Sequence, residues 1–147
     1  MDKKDYNDLI YVCSLIEYIA RETKNHRGDI VESLGVEGIE RQLKDAEVNH
    51  CLSFEQVSFE IIEQYGIKNG DYDTISSCRY SVPAYVDIGK LYAIVIKDVS
   101  KGKDIAKTVK KVFSSFVSDA ISGFNSDMYY QNPSYIEESY LAGELLS

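Results

Sequence analysis

Tryptophan is absent from the 147-residue chain, which has only two prolines, three cysteines and two histidines. The cysteines, Cys13, Cys51 and Cys78, are odd in number and unpatterned, which argues against a disulfide framework. No segment approaches the roughly 18 consecutive apolar residues of a membrane-spanning helix, and the N-terminal residues lack a secretory cleavage site. We therefore expect a cytoplasmic protein that does not enter a membrane.

Sequence motifs for catalysis, metal binding and nucleotide binding are also missing. The chain has no CxxC, HExxH or GxSxG pattern, and the adjacent His50 and Cys51 would point about 100° apart on a helix. A site assembled from His26, His50, Cys51 and Cys78 remains an alternative. The glycines of GDIVESLGVEGIE are too widely spaced for a phosphate cradle. We predict a protein that is not an enzyme and has no cofactor or metal ion.

Negative charge dominates the composition, and its distribution is uneven. The formal net charge is −8, although residues 101–111 hold five lysines against one aspartate. No lysine or arginine follows Val112. Because an acidic surface repels duplex DNA, we expect no direct DNA binding. The expected partner is another protein that is basic or itself binds nucleic acid.

Apolar residues recur with a helical period along most of the chain. In the second predicted helix Asp29 is the expected N-cap and Gly35 the C-terminal stop. Ser53 and Gln56 match a capping box at the start of the fourth. The predicted helices span residues 6–23, 29–34, 36–50, 53–66, 85–99, 103–124 and a C-terminal stretch from 133 to 146.

Two segments have a less regular pattern. Residues 67–84 contain turn chemistry at Asn69-Gly70, which indicates a loop or a short hairpin. Residues 85–99 are compatible with a buried strand, but their apolar spacing matches a helix better. The predicted fold class is all-α, a compact bundle of about six or seven helices. We expect a single helical domain, residues 1–147, with an N-terminal subregion 1–66, an irregular connection 67–84 and C-terminal helices 85–147.

The C-terminal sequence NPSYIEESYLAGELLS, residues 132–147, is unusually apolar for a chain end. Asn132 suits an N-cap, and Pro133 suits the first helical position. The resulting helix either completes the core or docks on another protein, and tyrosine suits a contact surface because it buries area while keeping a hydroxyl group. The predicted partner-binding residues are Tyr129, Tyr130, Tyr135, Glu137, Glu138, Tyr140, Leu141, Glu144 and Leu145.

The N-terminal sequence YVCSLIEYIARETKNHRGDIVESLGVEGIERQLKDAEVNHC, within residues 1–66, combines three features. They are an IEYIA-type first helix, a G-x-x-V-x-x-x-G turn and a helix ending near His50. In these features the chain resembles small helical bacterial antitoxin-like proteins of unknown function. The resemblance covers less than half of the chain and assigns no functional residue. It implies a non-catalytic partner protein.

The leading hypothesis is an acidic protein-binding module, antitoxin-like or inhibitor-like, that acts by occupying the surface of a partner protein. A homodimer is compatible with it. One alternative is a phage or mobile-element inhibitor that mimics nucleic acid and blocks a host defence nuclease. Another is a helix-turn-helix transcriptional regulator built around Gly35. The net charge of −2 on residues 37–47 disfavours the regulator, because that helix would enter the major groove.

Overall fold

The computed structural model describes residues 1–146, and within that range its regular structure consists of helices, with no strand. The predicted all-α fold is therefore confirmed. The helices are α1 (Lys3–Thr23), α2 (Arg27–Asn49), α3 (Phe54–Tyr65), α4 (Tyr85–Ser100), α5 (Ile105–Ser114), α6 (Phe116–Ser122) and α7 (Pro133–Ala142), with a one-turn 3-10 helix at Met128–Tyr130. The ambiguous segment 85–99 is helical, as its apolar spacing indicates.

Helix α1 is the main packing partner within the bundle. It packs against α2, α3 and α4, and its apolar stripe of Leu9, Val12 and Ile16 is buried. Helix α4 runs antiparallel to α1. At one end Tyr6 of α1 lies near Lys97 of α4, and at the other end Arg21 of α1 donates a hydrogen bond to the carbonyl oxygen of Pro83, just before α4 begins. One cluster of buried apolar side chains has members from every helix from α1 to α7.

Gly89 lets α4 approach α1 closely. A Cβ atom at this position would collide with the Ser14 hydroxyl and lie 2.7 Å from the Ser14 backbone nitrogen. The hydroxyl itself donates a 2.7 Å hydrogen bond to the carbonyl oxygen of Ile10, so it is satisfied within its own helix. A residue without a side chain is needed at this crossing.

Helix α2 consists of two helical halves on either side of Gly35, as predicted. Gly35 has φ 69° and ψ 171°, which are not helical dihedral angles, so the predicted break at this residue is confirmed. The first half begins earlier than predicted, at Arg27, and His26 rather than Asp29 occupies the N-cap, without a side-chain hydrogen bond. The Asp29 cap was wrong because the helix gains its first turn from the tertiary pairing of Arg27 with α1, which local sequence does not report.

The single helix predicted over residues 103–124 is also wrong. Ser115 has an extended backbone, φ −83° and ψ 168°, and separates α5 from α6. Its hydroxyl oxygen accepts a 3.3 Å hydrogen bond from the backbone of Val117, so it caps α6. Serine can offer the backbone such a local alternative to the helix, and the apolar period continues across the break, so periodicity does not reveal it.

The predicted limits of α3 are confirmed. The Ser53 hydroxyl oxygen accepts a 3.0 Å hydrogen bond from the backbone of Gln56, and Gly66 ends the helix in a left-handed conformation. Residues 67–84 form neither helix nor strand. The backbone nitrogens of Gly70 and Tyr72 donate 2.8 Å hydrogen bonds to the carbonyl oxygens of Thr23 and Lys24, and so fix this connection to the end of α1.

Three charged side chains pair inside the bundle. Glu17 is fully buried and accepts hydrogen bonds from Arg27, at 2.9 and 2.6 Å, and from Arg21, at 2.7 Å. Burial alone would raise the pKa of Glu17, but hydrogen bonds and positive charge from the two arginines outweigh it and lower the pKa. The cluster connects α1 to the start of α2 and, through Arg21, to the carbonyl oxygen of Pro83.

Candidate functional site

The predicted start of the C-terminal helix is confirmed. The side-chain oxygen of Asn132 accepts a 3.0 Å hydrogen bond from the backbone of Ser134, and Pro133 is the first helical residue. The predicted extent is wrong, because α7 ends at Ala142 and Gly143 follows with φ 80°. Leu145 therefore lies beyond the helix, since glycine readily adopts the left-handed conformation that terminates it.

Helix α7 has an inner face that is part of the core. Ile136 and Ser139 are fully buried, and the helix packs against α4 and α6. The chain then folds back, because the Tyr135 hydroxyl donates a 2.6 Å hydrogen bond to the carbonyl oxygen of Leu146. The backbone nitrogen of Leu146 donates to the Ser139 hydroxyl at 3.3 Å. Tyr135 thus holds the end of the chain against its own helix.

The other side of this segment remains in contact with solvent. Tyr130 is 78% exposed, Leu141 71% and Leu145 47%. Glu138 and Glu144 are also exposed. We call these five residues the C-terminal surface. The remaining residues of the predicted set are half-buried, namely Tyr129, Tyr135, Glu137 and Tyr140.

A cluster of aromatic rings borders the C-terminal surface. The ring centroids of Tyr129 and Tyr130 lie 4.3 Å apart, and Phe124 meets Tyr129 edge-on at 5.7 Å. A hydrogen bond to Tyr130, followed by burial, raises the pKa of Tyr129 to about 12. Tyr80 also lines a depression of about 430 Å³ beside these rings. It is exposed, but the sequence did not identify it as a partner-binding residue.

Glu137 differs from the other carboxylates of the segment. One of its side-chain oxygens is buried without a hydrogen-bond partner, and the carboxyl group lies near Asp98 of α4. Burial, followed by the hydrogen bond and negative charge of Asp98 and the charge of Glu138, raises the pKa of Glu137 to about 7. Glu137 therefore interacts within the protein, whereas Glu138 and Glu144 are available to a partner.

The two histidines lie in separate aromatic environments. His26 Nδ1 is 2.8 Å from a carboxylate oxygen of Asp119, and its ring stacks on Tyr72 at a centroid distance of 3.7 Å. His50 contacts the ring of Tyr11 at 4.4 Å. Across residues 1–146, no three His, Cys, Asp or Glu side chains are grouped as metal ligands would be. The alternative site from His26, His50, Cys51 and Cys78 is thus not assembled.

Of the helices in the described range, 1–146, none combines the length and apolar character needed to cross a membrane. No protein-family model matches the chain, and comparisons with curated proteins and with solved structures give no match either.

Proposed function

We propose that the protein binds another protein through the C-terminal surface and acts by occupying that partner, as an antitoxin or inhibitor does. The observation that carries the proposal is the contrast between the two sides of one short segment. Tyr130 and Leu141 are largely exposed, whereas Ile136 and Ser139 are fully buried. The inner side anchors α7 to the core, and the outer side holds apolar groups in solvent. Exposed apolar groups bordered by charged ones are typical of contact sites.

The charge around the surface favours a basic partner. Glu138 and Glu144 are exposed and alternate in the sequence with the exposed apolar residues, and the chain has no lysine or arginine after residue 111. Complementary charge increases the rate of encounter between two proteins, whereas well-buried aromatic anchors slow dissociation. Tyr130 is the side chain best placed to serve as such an anchor.

The distribution of acidic residues on α2 favours protein binding over mimicry of nucleic acid. A mimic requires a continuous strip of carboxylates. On α2 the carboxylates are interrupted by positive charge. The ion pairs are Glu32 with Lys110 at 3.6 Å, Asp45 with Arg41 at 3.7 Å and Glu47 with Lys4 at 3.5 Å.

The geometry around Gly35 gives little support to the regulator hypothesis. A helix-turn-helix joins two helices through a turn of about three or four residues. Here a single residue with non-helical dihedral angles separates the two halves of α2. Arg41, the one arginine of the second half, is paired with Asp45.

The experiment is affinity capture from native lysate, followed by quantitative mass spectrometry. The wild-type protein is compared with the double variant Tyr130→Ser/Leu141→Ser. Phe59→Ser is the matched control, because Phe59 is 65% exposed on α3, outside the C-terminal surface. We expect a basic protein that is retained by the wild type and the control and lost from the double variant. Equal retention by all three would contradict the proposal.

A further inference from the structure

A groove of about 650 Å³ lies beside α1, and its lining includes no residue of the C-terminal surface. We call it the N-terminal groove. Its lining comes from α1, the end of α2 with the following His50, the first residue of α3 and the first two turns of α4. Along α1 it extends from Lys3 to Ser14, about 16 Å at the helical rise per residue. This volume is within the range of sites that bind small organic molecules, about 300–1,000 Å³.

The interior of the groove is apolar and well supported. Ile10, Tyr11, Phe54 and Val86 contribute to its lining. The ring of Phe54 lies 5.1 Å from that of Tyr11. Phe54 also packs against Tyr85, at 4.9 Å, so helices α1, α3 and α4 share one aromatic cluster. Such a wall is suited to an apolar ligand body, because its side chains are already held in place before binding.

The polar edge of the groove carries a small excess of positive charge. Lys4 forms ion pairs with Asp8, at 2.9 Å, and Glu47, at 3.5 Å, and all three residues line the groove. Lys3 and Lys90 also line the groove, and neither forms an ion pair within residues 1–146. Three lysines against two carboxylates give this lining a net charge of +1 on a molecule whose net charge is −8, which favours an anion.

The N-terminus of α4 lies beside the groove. Val86 belongs to the first turn of the helix and lines the groove, and the N-cap residue Ala84 provides no side-chain hydrogen bond. The N-terminus of a helix carries a partial positive charge. Asp87, which is exposed in the same turn, offsets part of that charge.

We propose that the N-terminal groove binds an organic monocarboxylate with an extended apolar body. The body lies along the apolar interior, and the carboxylate pairs with Lys3 or Lys90. The length of the groove favours an extended body over a single ring. This site is distinct from the C-terminal surface, because α4 borders the groove at Val86 and Lys90 and meets α7 near Asp98.

Sodium decanoate, below its micellar concentration, is the probe, and binding is followed by NMR of the labelled protein. Decylamine and 1-decanol have the same chain with a positive or neutral head group. We expect decanoate to shift signals of residues 3–14, 50–54 and 86–90, and to bind at least about tenfold more tightly than decylamine. No decanoate binding, or equal binding of the amine, would overturn the proposal.

Lys90→Glu tests the charge, with Lys107→Glu as the matched control. Both lysines are exposed on helices, but Lys107 lies on α5 outside the groove. Lys90→Glu should weaken decanoate binding by about tenfold, whereas Lys107→Glu should leave it unchanged. Unfolding temperatures equal to the wild type establish that both variants are folded. If neither Lys90→Glu nor Lys3→Glu changes the affinity for decanoate, the assignment is refuted. Sedimentation showing a dimer that excludes decanoate would instead assign the groove to a second copy.

Discussion

Glu17 depends on its neighbours more than any other carboxylate discussed above, because it is fully buried and paired with two arginines. Arg27→Met removes two of its hydrogen bonds and is expected to lower the free energy of unfolding by about 3–5 kcal/mol. Urea denaturation measures the change. Arg41→Met is the control, since Arg41 forms only an exposed ion pair with Asp45, and it should have little effect. Equal effects of the two substitutions would contradict this account of the buried cluster.

Gly89 is expected to resist even the smallest substitution. Alanine normally favours a helix over glycine, but a Cβ atom here collides with Ser14. Gly89→Ala should therefore reduce the free energy of unfolding by about 1–3 kcal/mol, as overpacking does. At Gly123 the nearest atoms to an added Cβ lie at 3.6 Å, so Gly123→Ala should be tolerated. Thermal denaturation compares the two, and a stabilised Gly89→Ala protein would refute the prediction.

Helix caps were easier to predict from the sequence than contacts between residues of different segments. The caps at Ser53, Gly66 and Asn132 were predictable, because capping depends on local side-chain and backbone chemistry. The hydrogen bond from Tyr135 to Leu146 and the proximity of Glu137 to Asp98 were not. Both depend on how the chain packs in three dimensions.

At the level of helices, the contact between α7 and α4 should depend on pH. The pKa of Glu137 is about 7 in the folded protein and 4.5 without its surroundings, so the folded state retains a proton that the unfolded chain has lost. Stability therefore falls as pH rises between these values. Glu137→Gln removes this pH-dependent loss of stability. The difference in unfolding free energy between the variant and the wild type should therefore grow by on the order of 1 kcal/mol between about pH 5 and pH 8, after discounting for partial solvation.

The control for this prediction is Glu144→Gln. Glu144 is exposed beyond the end of α7 and is not among the groups that shift the pKa of Glu137, so the variant should follow the pH dependence of the wild type. Asp98 and Glu138, the acidic groups near Glu137, remain in both variants. Urea denaturation at several pH values gives the comparison. If Glu137→Gln increases the unfolding free energy equally at all pH values, the cause is better packing rather than removal of a charge.

Helix existence was more predictable than helix limits. Periodicity located α1 and α4, because each has a single apolar stripe that follows the helical period. The same periodicity concealed the break at Ser115, since α5 and α6 both present apolar residues to the core. At Gly35 the sequence indicated the correct break, because the positive φ of this glycine interrupts the helix between the two halves of α2.

For the molecule as a whole, the net charge of −8 should govern the rate at which it meets a basic partner. Raising NaCl from about 0.05 M to about 0.5 M shortens the Debye length and should slow association, with a smaller effect on dissociation. Stopped-flow or surface-based kinetics measure both rates. An association rate that is independent of salt would remove the electrostatic part of the proposal.

The sequence was most informative about fold class and charge, and less so about sites. The C-terminal surface could be located approximately, because its tyrosines and leucines are close in sequence. Which of them face solvent depends on the docking of α7 through Ile136. The N-terminal groove was not predictable, since Lys3, Phe54 and Lys90 come from three helices.

The most direct test of the proposed function measures binding and folding on the same variant. With the captured partner purified, the dissociation constant and the unfolding free energy are determined for wild type and for Tyr130→Ser/Leu141→Ser. We predict a dissociation constant raised at least about tenfold with unfolding unchanged, because both side chains are exposed. An unchanged dissociation constant, or a loss of binding that parallels a loss of folding, would contradict the proposal.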